Sequence, residues 1–300
     1  MNKIKTLIAL LLVSIPITCA QIKGVVKNSL SGEPIPYVNI WVDGETIGTT
    51  SEENGSFSLD IKEEKVLVFS ALGYESKKSS SNNEIILLKP KVFELNEVVV
   101  SSAKKNKIIK VNGFKKEKIS VYYGTGSQPT IIAKKIEPSE QINKHPFLKE
   151  INFLSRCQIK KAKIILRFYE VDPEGKPGID LLDTNIVLEI KKGKKNNRVN
   201  LEKYKIRIPE DGLFIAFEWM IIEENKYTYT YTLEEEKNKI SYKDGISYQP
   251  VIGTIPTENQ SSWHYAKGKW YKRGKFSNVD KLTSYQNKFG ELAIELTLTN

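Results

Sequence analysis

The sequence predicts an all-β protein built as two domains. Three observations carry this. A chain of 300 residues and 34.2 kDa is long enough for two cores of ordinary size. Its 10% aromatic content, twelve prolines and eighteen glycines favour strands separated by turns over a helical bundle. Short runs of Val, Ile, Thr and Tyr are punctuated by turn pairs such as Asp43-Gly44 and Asn54-Gly55, whose residues tolerate positive φ.

Met1 to Ala20 places Lys3 and Lys5 before an apolar run from Leu7 to Ile17 and ends on small residues, the order of a secretory signal. The run is too short to span a bilayer as a helix. Cleavage is expected between Ala20 and Gln21. A competing lipoprotein reading makes Cys19 the lipidated residue, against the presence of Thr18 before it. Cleavage leaves Cys157 as the only thiol, so no intramolecular disulfide is expected. Loss of Lys3 and Lys5 lowers the net charge from +10 by two, to +8. The lysines are dispersed over turns and polar faces, with no stripe of Arg interleaved with stacking aromatics, so nucleic acid is not an expected partner.

The first domain is expected over residues 21–100. Gly24 to Lys27 reads as a strand, and Ser31 to Pro36 as a turn. In Tyr37 to Val42, Val38, Ile40 and Val42 fall on one face and Tyr37, Asn39 and Trp41 on the other. Phe57 and Leu59 point inward, and Val66 to Phe69 and Glu84 to Leu88 supply further strands. About six strands make an antiparallel sandwich.

These residues resemble the carboxypeptidase regulatory-like domain, a transthyretin-like β-sandwich found at the N-termini of many exported proteins and TonB-dependent transporters of Gram-negative bacteria. The resemblance rests on Gly24-Val25-Val26, Gly32-Glu33-Pro34-Ile35-Pro36, Val38-Asn39-Ile40, Gly48-Thr49-Thr50, Asn54-Gly55-Ser56-Phe57, Phe69-Ser70 and Gly73-Tyr74, in the family's order. It implies a fold and export, and no catalysis. A zinc-peptidase site is not expected, because the two histidines, His145 and His264, are followed three residues on by Leu148 and Lys267 instead of Glu. No cofactor or metal is expected. Leu95 to Ser101 also resembles a TonB-box-like segment, but what remains of the chain is too short for a 22-stranded barrel. Val98, Val99 and Val100 read either as a last strand of the first domain or as a strand donated to another protein.

Residues 101–107 are expected to be a linker, and residues 108–300 a larger β-sandwich that loosely resembles jelly-roll domains of unassigned function. Strands are expected at Ile119 to Tyr123, Thr130 to Lys135, Ile159 to Val171, Ile186 to Ile190, Arg198 to Leu201, Lys205 to Ile208, Gly212 to Ile222, Lys226 to Leu233, Lys269 to Lys272 and Leu292 to Leu298, with one short helix within Pro138 to Lys149 capped by Ser139.

Three constellations could carry function. Glu218 lies in a strand with two apolar faces and needs a partner, for which Arg167 is the candidate in a structural ion pair. Tyr227, Tyr229 and Tyr231 alternate with threonines and share one sheet face. Trp263, Tyr265, Trp270 and Tyr271 bracket a hairpin tip at Lys267-Gly268-Lys269, with His264 among them. Such aromatics stack on sugars or anchor proteins, and equally serve as cross-strand packing. The function expected is a non-catalytic binding or interaction module for an envelope protein or glycan, exported to the periplasm or outer membrane or secreted. The alternatives are a glycan hydrolase using carboxylates such as Glu218, and an assembly factor donating Val98 to Val100.

Overall fold

The computed structural model describes residues 21–91, 107–235, 239–276 and 284–300. The expected signal with Cys19, the valines at 98–100 and nearly all of the expected linker lie outside the described residues. Strands dominate, and no helix among the described residues is long and apolar enough to cross a membrane.

Among the described residues the first β body has seven strands, one more than expected: β1 (Gln21–Asn28), β2 (Asn39–Val42), β3 (Gly48–Thr50), β4 (Ser56–Asp60), β5 (Val66–Ser70), β6 (Lys77–Ser80) and β7 (Ile85–Leu88). They form a sheet ordered β4-β1-β7 and a sheet ordered β3-β2-β5-β6. Strand β1 runs parallel to β7 and antiparallel to β4. Val26, Ile40, Phe57, Phe69 and Leu88 fill the space between the sheets. Positive φ at Gly44 and Gly55 closes the two turns that the sequence marks.

The second body follows with β8 (Ile108–Val111), β9 (Tyr122–Thr125), β10 (Thr130–Ile136), α1 (Glu140–Lys144), β11 (Phe147–Val171), β12 (Pro177–Asp180), β13 (Ile186–Asn200), β14 (Leu213–Trp219), β15 (Lys226–Glu235), β16 (Lys239–Thr257), β17 (Ser262–Ala266), β18 (Lys269–Lys272), β19 (Phe289–Leu292) and β20 (Ile294–Thr299). Helix α1 is one short turn within the expected stretch, capped as expected by the Ser139 side chain, which accepts from the Ile142 N–H, and followed by Pro146 and the start of β11.

All thirteen strands join one hydrogen-bonded network with the path β15-β16-β11-β14-β10-β17-β18. Its spine is β11, 25 residues long. A register shift between Cys157 and Lys161 breaks β11 into two halves: the first pairs with β20 and the end of β13, the second with β14 and the start of β13. A bulge of this kind bends a strand and tightens its twist. The two halves therefore face each other, and Phe153 of the first meets Phe217 of β14 across the core at 4.6 Å between ring centroids.

The expected strands Ile186 to Ile190 and Arg198 to Leu201 are one strand, β13, and three further expectations shift for physical reasons. The strand expected from Ile119 to Tyr123 starts only at Tyr122, as β9, because residues 116–118 form a turn of 3-10 helix; β8 before it is not among the expected strands. Lys205 to Ile208 is not a strand: Lys205 is left-handed, and only Arg207 bridges, to Phe147. Strand β16 goes unexpected because Gly245, Pro250, Gly253 and Pro256 interrupt its apolar run. Pro250, which lacks an N–H, falls where β16 changes partner, after Tyr248 pairs with β15 and before Val251 pairs with β11.

Candidate functional site

The two faces of β2 have different fates. Ile40 and Val42 enter the first core, while Asn39 and Trp41 point at the second body. They meet the outer face of the sheet made by β11, β14, β10, β17 and β18. The first body lies against this face through Tyr37, which packs with Ile165, Met220 and Ile222. At the rim, the Thr50 N–H donates to the Ile221 carbonyl at 3.3 Å and the Ile221 N–H to Thr50 Oγ1 at 3.0 Å. Lys163 Nζ donates to the Tyr37 hydroxyl and to Glu53, each at 3.1 Å.

Beneath this contact lies a buried charge network. Arg167 Nε and Asn39 Nδ2 donate to the two oxygens of Glu218, and Arg167 Nη1 donates to Asp180 Oδ1 at 3.2 Å. Glu218 is 0% exposed and Arg167 7%. Burial by itself would depress the guanidinium, but the negative charges of Glu218 and Asp180 hold it above its ordinary range. Burial raises Asp180 despite the opposing pull of Arg167. Glu218 reaches Arg167 because Ile165 sits directly opposite Glu218 in the β11–β14 register and Arg167 is two residues along. The structure thus brings Arg167 and Glu218 together and adds two partners, Asn39 and Asp180.

Beside the network a cleft of about 430 Å³ opens where the first body's β2 and the loop after it face β9, β10 and β17. Trp41, Tyr122, Tyr123 and Tyr265 are its aromatic walls. Tyr265 stands edge-on to Trp41 at 6.3 Å and to Trp270 at 5.2 Å. Two of the lining residues, Asn39 and His264, each carry a polar atom, Oδ1 and Nδ1 respectively, that is occluded and without a hydrogen-bond partner. Burial first, and then the charge of Arg273, pushes His264 below its ordinary value of 6.5, so the ring is neutral at neutral pH. Arg273 itself lies over the Tyr123 ring at 4.1 Å.

The aromatic residues singled out in the sequence separate. Trp263 is 9% exposed and packs edge-on to Phe214 at 6.2 Å, while Trp270 packs edge-on to Tyr169 at 5.4 Å; both belong to the packing on the outer face. Tyr265 lines the cleft. Tyr271 is exposed and stacks on His264 at 5.6 Å. Lys267 and Gly268, both at positive φ, make the tight turn between β17 and β18. Tyr227, Tyr229 and Tyr231 form a ladder on β15, with ring spacings of 5.9 Å and 6.0 Å, away from the cleft. Asn39, Trp41, Tyr122 and Tyr123 escape sequence reasoning as site residues, because each is a strand residue in an ordinary alternating run.

Other chemistry is sparse. The Cys157 thiol is buried and raised by that burial, and donates to the Ile159 carbonyl at 3.4 Å. His145 Nδ1 is held by the Gln141 carbonyl at 3.0 Å. Among the described residues no group of three or more His, Cys, Asp or Glu is placed to hold a metal ion.

Comparison with known proteins identifies the first body. Residues 22–100 match the family model of the CarboxypepD_reg-like domain. These residues belong to that domain family. A TonB-dependent receptor of Bacteroides thetaiotaomicron, SusC, is 33% identical over 135 residues, 43% of this chain and 13% of the receptor. The TonB-dependent receptor P3 of Formosa agariphila is 33% identical over 84 residues, 27% of this chain and 8% of the receptor. The chain therefore matches only a small part of either relative's length. Among solved structures, infectious bursal virus T=1 particles align over 93% of this chain and 58% of theirs, at 9% identity and a TM-score of 0.21. The CarboxypepD_reg-like domain supplies Asn39, Trp41 and the loop residues Glu45, Thr46 and Ile47 to the cleft, and the second body supplies the rest.

Proposed function

We propose that the protein is an exported, non-catalytic binding module of the bacterial envelope, and that its ligand is a short glycan held in the cleft between the CarboxypepD_reg-like domain and the second body. The observation that carries this reading is the pairing of two unpartnered buried polar atoms, Asn39 Oδ1 and His264 Nδ1, with aromatic walls in one cleft. A buried polar atom left without a partner costs about 1–3 kcal/mol. In the proposed complex the Asn39 and His264 side chains turn these atoms toward sugar hydroxyls, while the C–H face of a pyranose packs on Trp41 or Tyr265. Envelope location draws its support from the TonB-dependent receptors that share the N-terminal segment.

The non-catalytic reading is supported by the state of the carboxylates. Both oxygens of Glu218 are engaged by Arg167 and Asn39, and Glu45 at the cleft is paired with Lys65 at 3.3 Å. Glycoside hydrolysis uses two carboxyl groups flanking the scissile bond, about 5–10 Å apart, one of them free to give up a proton.

Tryptophan fluorescence titration with a panel of oligosaccharides, run beside a reducing-sugar assay, tests both parts. Saturable quenching without product is expected, and Trp41→Ala should weaken binding about tenfold or more while leaving the circular dichroism unchanged. Product release would overturn the non-catalytic reading. No saturable binding across the panel, or binding indifferent to Trp41→Ala, would overturn the cleft.

A further inference from the structure

Strand β15 is the outermost strand of the larger sheet. One edge pairs with β16 throughout, from Lys226 opposite Tyr248 to Glu235 opposite Lys239. Its other edge pairs with no strand among the described residues. Natural proteins block such edges with prolines, bulges, inward charges or short strands, because a free row of N–H and C=O groups templates pairing with another chain. Strand β15 has no proline and no bulge and is not short: it is ten residues long, reads KYTYTYTLEE, keeps an unbroken register, and carries charge only at its two ends. Residues 228–232 are all exposed, with Tyr229 and Tyr231 each at 41%.

In the sequence of β15 the charges sit at opposite ends, Lys226 at the start, where it also pairs with Glu223 at 3.3 Å, and Glu234 and Glu235 at the finish. That distribution is self-complementary in one arrangement. An antiparallel pairing of two copies about a two-fold axis at Thr230 sets Lys226 opposite Glu234 of the second copy and Thr228 opposite Thr232. On the other face it sets Tyr229 opposite Tyr231, so the tyrosine ladder of one copy runs into that of the other. We propose that β15 is a homodimerisation edge, pairing antiparallel with β15 of a second copy about Thr230 and extending one sheet through both. The proposal does not rest on the cleft, which lies elsewhere on the molecule.

Sedimentation velocity on the full chain, from about 1 µM to about 200 µM, should show a monomer passing to a dimer as concentration rises. Thr230→Lys places two ammonium groups against each other at the axis. It should weaken association about tenfold or more with unchanged circular dichroism. Under oxidation Thr230→Cys should give a disulfide-linked dimer above the background of the unsubstituted chain, because residues facing across the axis lie within the Cα range of a disulfide, about 4.4–6.8 Å. Thr228→Cys should not, its two copies being offset by about 13 Å along the strands. A chain that stays monomeric throughout, a dimer indifferent to Thr230→Lys, or cross-linking through Thr228→Cys in preference to Thr230→Cys would overturn the proposal.

Discussion

At the residue scale the buried network is the most exacting feature, because it takes three charges out of water. Desolvation costs several kcal/mol per ion, and the hydrogen bonds among Arg167, Glu218, Asp180 and Asn39 offset it. The consequences of truncation are unequal. Arg167→Met strands both Glu218 and Asp180, and should cost about 3–5 kcal/mol in urea unfolding. Glu218→Gln leaves Arg167 bonded to Asp180, and should cost about 1–3 kcal/mol. The double variant should recover part of the Arg167→Met loss; strictly additive losses would show that the two side chains do not act as a pair. Acid should narrow the gap further. The folded value of Asp180 already lies above its ordinary 3.8, and removing Arg167 raises it again. A carboxyl raised in this way takes up its proton first in the folded state, so the Arg167→Met deficit should shrink as pH falls through that folded value. The charge in an apolar strand and its pairing with Arg167 are legible in LFIAFEWMII and ILRFYE, whereas Asn39, 179 residues from Glu218 in sequence, is not.

At the element scale, turns set the registers that place these residues. Gly212 ends the turn from Pro209 that launches β14, with φ at +89°, and a Cβ there would lie 2.2 Å from the Ile136 carbonyl oxygen. Gly268, at the β17–β18 tip, has φ at +77° and open space around it. Gly268→Ala should therefore show the cost of the backbone conformation alone, about 1 kcal/mol, and Gly212→Ala that cost plus a clash with fixed backbone, about 2–4 kcal/mol. Thermal unfolding of the two variants measures the difference, and equal losses would mean that the β10 backbone yields freely. Turn pairs and alternating runs made most strands visible in the sequence. Strand β16 stayed hidden because its four Gly and Pro residues weaken its local signal, while its stability comes from pairing with β15, β11, β9 and β19. Lys205 to Ile208 misled in the other direction: its alternation is that of a strand, but the left-handed Lys205 takes the chain out of register before a ladder can form.

At the scale of the whole molecule, the two bodies are joined through groups whose loss would be felt on both sides. Sequence alternation separates Val38, Ile40 and Val42 from Tyr37, Asn39 and Trp41. It does not say that the second set is covered, since the surface covering it comes from residues 163–222 and from Tyr265. For the same reason half of the cleft was invisible: Tyr265 belongs to a dense aromatic cluster, but Trp41 becomes its neighbour only through docking of the CarboxypepD_reg-like domain. Docking this close has a thermodynamic consequence. Exposing Asn39 and Tyr37 by unfolding the first body would strip Glu218 of one donor and Lys163 of another partner, and would uncover Met220, which is 0% exposed. The two bodies should therefore unfold as one cooperative unit, giving a single calorimetric peak at a temperature shared by tryptophan fluorescence and circular dichroism. The combined change Asn39→Ala with Thr50→Val removes the donor to Glu218 and the acceptor for the Ile221 N–H without touching the Val26–Phe57–Leu88 core. It should split the peak, the first body melting ahead of the second. Two peaks in the unsubstituted protein, or one unsplit peak in the variant, would show that these contacts do not couple the bodies.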